Sequence, residues 1–274
     1  MVGIIKRIQT IGGYPVKATA AQLKEIRELI RDKKSRDESG LFVAEGFKAL
    51  SDIAEKRCEI KYILSVDEEM KNNLSLRDKN TQFFTTTVSS FEKLSNLKNP
   101  DGILAVLKKR DLSIEDIFTP RKHCSITVCD GLQDPANLGS IIRSAAAFGS
   151  DFLLITGSSV DIYNPKVVRS ASGTLFDIAV MHASYADIAR LKADGYKVYA
   201  GKSHGANSTV LSDIKLSPKM IIVLGSEGQG ISNEMAELTD IWFHIPISDK
   251  VESLNVNAAA AIALYETIGR EYHG

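Results

Sequence analysis

A chain of 274 residues with 34 Lys and Arg balanced by 34 Asp and Glu carries no formal net charge, and 44% of it is hydrophobic, so there is core enough for two domains of ordinary size. The balance excludes long-range attraction of a polyanion by bulk charge; a nucleic-acid partner has to be met by a local basic patch. Cys58, Cys124 and Cys129 form no CxxC and the histidines are scattered, which excludes zinc-site or disulfide-framework spacing, and no metal is expected. No apolar run has the length of a signal peptide or a membrane span, so a cytoplasmic protein with no membrane partner is expected.

Residues 1–18, with Gly12, Gly13 and Pro15, lack periodicity and read as an arm. From Ala20 the pattern is helical, with Leu23, Ile26, Leu29 and Ile30 on one side and Lys24, Arg27, Arg31, Lys33, Lys34 and Arg36 on the rest. This most basic stretch is the candidate RNA contact; the alternative is a solvated helix face. Strands at 40–46, 60–66, 82–86 and 102–108, with helices at 47–56 and 89–97 between them, make an α/β domain over 19–108. Residues 109–121, with Pro120 and a short amphipathic piece at Leu112, Ile114, Ile117 and Phe118, read as a linker.

A second α/β series fills 122–274. A strand at 126–130 runs into GLQDPANLGS, where Asn137 is expected to cap a helix that reaches Phe148 and stops at Gly149. Strands follow at 151–156, 176–181, 197–201 and 220–224, with a helix opened by Asn164 and Pro165 and another at 185–193. GSEGQG precedes a helix at 232–238, a strand starting at Trp242, and a final helix of Val, Ala, Ile and Leu with no polar face. Such a helix belongs in a core or a subunit interface, and strands alternating with helices imply a parallel sheet covered on both faces.

Ligands of open parallel sheets bind beyond the carboxyl ends of the strands, where this chain has DGLQDPANLGSIIRS, GSEGQGIS and SDKVESLNVN. Gly131 and Gly139 would let a ligand approach the backbone, and Arg143 lies one turn beyond Gly139. Gly225, Gly228 and Gly230 have the wrong spacing for a dinucleotide fingerprint, G-x-x-G-x-G instead of G-x-G-x-x-G. Ser253 and Asn255 stand at a helix N-terminus, where they either cap the helix or face an electron-rich ligand.

The trio NLGSIIRSAAAFG (137–149), IIVLGSEGQGIS (221–232) and IPISDKVESLNVNAAAAIALYE (245–266), in this order and spacing, resembles the SpoU (TrmH-like) branch of the SPOUT RNA methyltransferases. The upstream domain, with LFVAEGFKAL and GILAVLKK, resembles the RNA-binding domain of ribosomal-protein type that precedes the catalytic domain in many members. The resemblance implies an α/β chain whose C-terminal SPOUT domain has a parallel sheet and a deep trefoil knot, working as a homodimer. It implies a 2′-O-ribose methyltransferase that uses S-adenosylmethionine, with large-subunit (23S) ribosomal RNA the first expected substrate and transfer RNA the second. Carried over, Gly225, Glu227, Gly228, Ile245, Ile247 and Leu254 would line the cofactor pocket, and Asn137, Arg143, Glu227, Ser253 and Asn255 would surround the reacting ribose. Asn257 departs from the Ser that members usually carry after SLNV, which puts a hydrogen bond at the start of the helix in question. The family proposal makes the arginine a general base, which sits badly with a guanidinium; a fork that holds phosphate and stabilises a developing alkoxide suits Arg143 better. A non-catalytic RNA-binding protein of the same fold is the rival reading, against which every polar residue of the motifs is present.

Overall fold

The computed structural model describes residues 16–272, apart from 57, 79 and 204–206, so most of the expected N-terminal arm lies outside the described residues. Thr85 N donates to Val16 O and Ala18 N to Thr85 O, each at 2.9 Å, so the end of that arm runs along a strand edge.

Thr19 opens α1 (Ala20–Arg31) through a capping box with Gln22. The basic stretch, read from the sequence as one helix, is two. The Asp32 carboxylate accepts from Lys34 N at 3.2 Å and Ser35 N at 2.9 Å, which starts α2 (Lys33–Ser39) in a new direction. There follow β1 (Leu41–Glu45), α3 (Phe47–Ala54), β2 (Ile60–Ser65), β3 (Gln82–Thr85), α4 (Val88–Glu92) and β4 (Ile103–Lys108). Their sheet has the order β1-β4-β2-β3, with β4 antiparallel to both neighbours and β2 parallel to β3.

Strand alternation gives this sheet two buried faces. Val43, Leu104 and Val106 pack under Ile26, Leu29 and Ile30 of α1. Their neighbours Phe42, Ile103, Ala105 and Leu107 belong instead to a core that continues into the second half of the chain. Phe42 meets the rings of Tyr163 and Phe176 at centroid distances of 4.7 and 6.3 Å. Residues 109–121 are likewise packed down: Ile117 is 1% exposed, and Arg110 Nη1 donates to Ile178 O at 2.7 Å.

The second half contains β5 (Cys124–Asp130), α5 (Pro135–Phe148), β6 (Phe152–Thr156), α6 (Pro165–Ala171), β7 (Ala179–His182) and α7 (Tyr185–Ala193). It continues through β8 (Lys197–Lys202), β9 (Thr209–Val210), β10 (Lys219–Gly225), α8 (Asn233–Leu238), β11 (Ile241–His244) and α9 (Val256–Thr267). All strand pairs of this seven-stranded sheet are parallel, in the order β7-β6-β5-β10-β8-β11-β9. β7 starts later than expected because Thr174–Phe176 forms a 3-10 turn. The strand order reverses between β5 and β10, so the loops after these two strands open side by side. α9 buries Val256, Ala260, Ala263 and Leu264, but Ile262 and Tyr265 remain 42% and 45% exposed.

Arg36 is the clear departure from the expected RNA contacts. Its Nε and Nη2 both lie 2.8 Å from Asp161 Oδ2, Nη1 donates to Leu29 O at 2.7 Å, and both charged side chains are buried. The turn at Asp32 aims Arg36 inward, so its guanidinium ties the first domain to the second and is closed to a phosphate. Removing one partner of a buried pair leaves the other uncompensated, so Arg36→Ala should lower stability by about 3–5 kcal/mol. Urea unfolding should find exposed Lys34→Ala within about 0.5 kcal/mol of the parent. Equal effects of the two substitutions would contradict the internal assignment of Arg36.

Candidate functional site

Where the loops after β10 and β11 meet, a cavity of about 790 Å³ opens at the carboxyl edge of the sheet. Gly225, Glu227 and Gly228 line it from the first loop, Ile245, Ile247 and Leu254 from the second, with Ser253 and Asn255 at its rim. The loop after β10 is a closed hairpin, with Ser226 N donating to Gly230 O at 3.0 Å and Gly230 N to Ser226 O at 2.9 Å. This closure accounts for a glycine at Gly225. A Cβ there would lie 2.3 Å from the Gly230 carbonyl carbon and 2.6 Å from Ile231 N, so the loop's own backbone excludes a side chain. At Gly228 a Cβ would meet nothing within 4 Å. Gly139, expected to admit a ligand, faces α6 instead: its Cβ would sit 2.4 Å from Ser170 Cβ and 2.7 Å from Val167 O.

Asn137 is not the cap of α5. Asp134 takes that role, accepting from Ala136 N at 2.7 Å and Asn137 N at 3.0 Å, while Pro135 occupies the first position, where no N–H is needed. The Asn137 amide is thereby released to the site. Its Nδ2 donates to the Glu227 carboxylate, and its Oδ1 accepts from Asn257 Nδ2 at 2.5 Å. The first turns of α5 and α9 and the loop after β10, far apart in sequence, are thus joined by one polar chain. Asn257 Oδ1 is buried and has no hydrogen-bond partner among the described residues. The residue that departs from the family pattern is therefore itself part of the site. Asn255 Oδ1 accepts from Asn257 N at 2.9 Å, so Asn255 caps α9 as well as lining the cavity.

Arg143 lies elsewhere. It is exposed on the outer face of α5 and does not line the cavity. Of the RNA-contact candidates, Lys24, Arg27, Arg31, Lys33 and Lys34 are exposed, and Lys24 and Lys34 have i,i+4 partners at 3.7 Å, in Glu28 and Glu38.

Among the lining residues that the sequence does not single out are Lys202 and Trp242. Lys202 Nζ sits 4.4 Å from the ring centroid of Trp242. They meet because β8 and β11 are neighbours in the sheet, pairing Trp242 with Ala200 and His244 with Lys202. The one tryptophan of the chain was a signal, but only the strand order gives it a partner.

The lining suits a cofactor with a flat aromatic ring, a carboxylate and a positive centre. Ile245, Ile247 and Leu254 give apolar walls, the glycine loop gives backbone polar groups, and the lining residues include one cation, Lys202, and one anion, Glu227. S-adenosylmethionine has these features.

A family model described as the SpoU rRNA Methylase family matches residues 125–265, and one for an MRM3-like substrate binding domain matches residues 20–105. The chain is 32% identical over 244 residues to the 23S rRNA (guanosine(2553)-2′-O)-methyltransferase RlmP of Bacillus subtilis (strain 168), covering 88% of this chain and 93% of that one. Among solved structures, an AdoMet-bound rRNA methyltransferase from Sinorhizobium meliloti superposes with a TM-score of 0.80 at 27% identity, covering 95% of this chain and 98% of its own. An RNA 2′-O ribose methyltransferase superposes with a TM-score of 0.76 at 26% identity, covering 94% of this chain and 100% of its own.

Because a Cβ at Gly225 meets backbone, Gly225→Ala should cost about 1–3 kcal/mol of stability, as overpacking does. Gly228→Ala should unfold at the same denaturant concentration as the parent. A reversed order in urea melts would show that the closed hairpin does not constrain Gly225.

Proposed function

Because this chain belongs to the SpoU rRNA methylase family, we propose that it transfers the methyl group of S-adenosylmethionine to a ribose 2′-hydroxyl of large-subunit ribosomal RNA. The observation that carries this reading is the polar chain Asn257–Asn137–Glu227 at the cavity of the glycine loop. Similarity to a 23S rRNA enzyme over nearly the whole chain, with the substrate-binding domain included, supports ribosomal over transfer RNA. A cytoplasmic place of work follows from that substrate.

S-adenosylmethionine, when bound, supplies the methyl group as an electrophile on a sulfonium, and no metal ion is needed. The chain's own task is alignment, exclusion of water and disposal of the hydroxyl proton. The glycine loop with Ile245, Ile247 and Leu254 would hold the cofactor and keep water out. Asn137, fixed between Glu227 and Asn257, would orient the ribose hydroxyl together with Ser253 and Asn255.

Arg143 completes the site from a second copy in this reading. The exposed Ile262 and Tyr265 of α9 lie beside α5, with the Tyr265 ring 5.8 Å from that of Phe148. A homodimer covering this face would bring each Arg143 toward its partner's cavity, where its fork can hold a phosphate and stabilise the alkoxide. The knot implied by the resemblance would belong to the return of the chain from β11 into α9. Lys24, Arg27, Arg31, Lys33 and Lys34 would contact RNA phosphates.

The test is methyl transfer by the purified protein to 23S ribosomal RNA lacking the modification, followed in single turnover. Arg143→Lys keeps a charge but loses the fork, so its rate should fall by about 10-fold or more, with Arg143→Ala lower still. A rate in Arg143→Lys that recovers steeply and selectively in alkaline buffer would mark a general base and contradict the clamp.

A further inference from the structure

Asp130 ends β5 with its carboxylate 1% exposed, among neutral donors. Its Oδ1 accepts from Thr156 Oγ1 at 2.8 Å and Tyr185 OH at 3.0 Å, and its Oδ2 accepts from Ser232 N at 2.8 Å. Ser232 Oγ donates to Tyr185 OH at 3.1 Å, joining α7 to the start of α8. Gly157 roofs this cluster: a Cβ there would lie 2.9 Å from Tyr185 OH and 3.6 Å from Asp130 Oδ1. Burial comes first among the causes that hold the Tyr185 phenol above its ordinary pKa, and the Asp130 carboxylate adds to it.

A buried carboxylate held by neutral groups is a costly way to fill space, so its geometry is the informative part. Asp130 is the register partner of Gly225, where the glycine loop leaves β10, and its Oδ2 holds Ser232 N, where that loop ends. The residue after it, Gly131, opens the other loop, toward Asn137, with Gly131 N donating to Thr156 O at 3.2 Å. Both loops are therefore anchored at one residue, through its backbone and its carboxylate, and they lead to the point where Asn137 donates to Glu227.

We propose that Asp130 is a positioning residue for methyl transfer, fixing the loop of Glu227 against the loop of Asn137 so that the two side chains meet at the cofactor cavity. This inference rests on the methyltransferase reading given above. Asp130 does not line the cavity, so it acts through Ser232 and Tyr185. Asn can still accept from Ser232 N while its amide nitrogen donates to the hydroxyl oxygens of Thr156 or Tyr185; Ala leaves Ser232 N–H without a partner.

Full-length Asp130→Ala, Asp130→Asn and Tyr185→Phe are compared with the parent by calorimetry with S-adenosylmethionine and by single-turnover transfer to unmodified 23S ribosomal RNA at saturating cofactor. Asp130→Ala should weaken cofactor binding about 10-fold, the effect of one lost buried hydrogen bond. Its rate at saturating cofactor should fall about 100-fold, as for a displacement near 1 Å in a reacting site. Asp130→Asn should recover to within about 10-fold of the parent rate. A purely structural residue would lower the melting temperature and leave the saturated rate of the folded enzyme unchanged, and that result overturns the proposal. Should Asp130→Ala fail to fold, Tyr185→Phe carries the test: a reduced saturated rate supports positioning, and a parental rate in both Tyr185→Phe and Asp130→Asn refutes it. An inactive parent enzyme on this RNA would instead count against the proposed substrate, and cofactor binding would still report on Asp130.

Discussion

The pairing of β10 alongside β5, with Gly225 opposite Asp130, is the constraint on which the rest of the site depends. Parallel strands leave their carboxyl ends on one edge, and a reversal of strand order lets adjacent loops part and open a crevice. Here the loop after β5 and the loop after β10 part at that reversal and close again through Asn137 and Glu227. α9 then enters against α5 and adds Asn257. The cavity is thus lined by loop backbone, apolar side chains and several polar groups, with Glu227 ending the connected polar line and Lys202 and Ser253 standing apart from it.

The two domains are not beads on a tether. Phe42 and Ala44 of the first sheet share a core with Leu138, Ile141 and Val167 of the second half. Arg36 and Asp161 are bonded across the same junction, and Lys56 meets Asp177 at 2.7 Å at its edge. The segment that holds Asp161 also holds the first site loop, with Val160 N donating to Leu132 O at 2.8 Å and Leu132 N to Ser159 Oγ at 3.0 Å. The exposed basic face of α1, proposed above to contact RNA, is therefore held in a fixed place relative to the sheet carrying the site.

Long apolar runs were legible: β5, β6 and β10 are buried along nearly their whole length, and such strands announce themselves without knowledge of their neighbours. The motifs at 221–232 and 245–266 hold residues that line the cavity, because loop glycines and the residues after Ile245 act locally, whereas neither Asn137 nor Arg143 of the first motif lines it. What failed depended either on contacts distant in sequence or on which of several nearby polar residues caps a helix. Arg36 reads as one more helical cation until Asp161 is seen beside it, and Asp32, which caps a new helix, lies inside a stretch read as one helix. Asp134 and Asn137 are both good capping residues, and Pro135 decided between them. Lys202 and Trp242 meet only through the order of strands, and β9, of two residues, is too short to leave a pattern.

The central claim is that this chain methylates one ribose of the large-subunit ribosomal RNA with Asn137 and Glu227 at the site. It is tested most directly by mapping 2′-O-methylated riboses in ribosomal RNA from cells with and without the gene, and from cells restored with the parent or Asn137→Ala. The account predicts that one ribose in 23S ribosomal RNA loses its methyl group on deletion, regains it with the parent and stays bare with Asn137→Ala. An unchanged set of ribose methylations, or a loss confined to a methylated base, would contradict it.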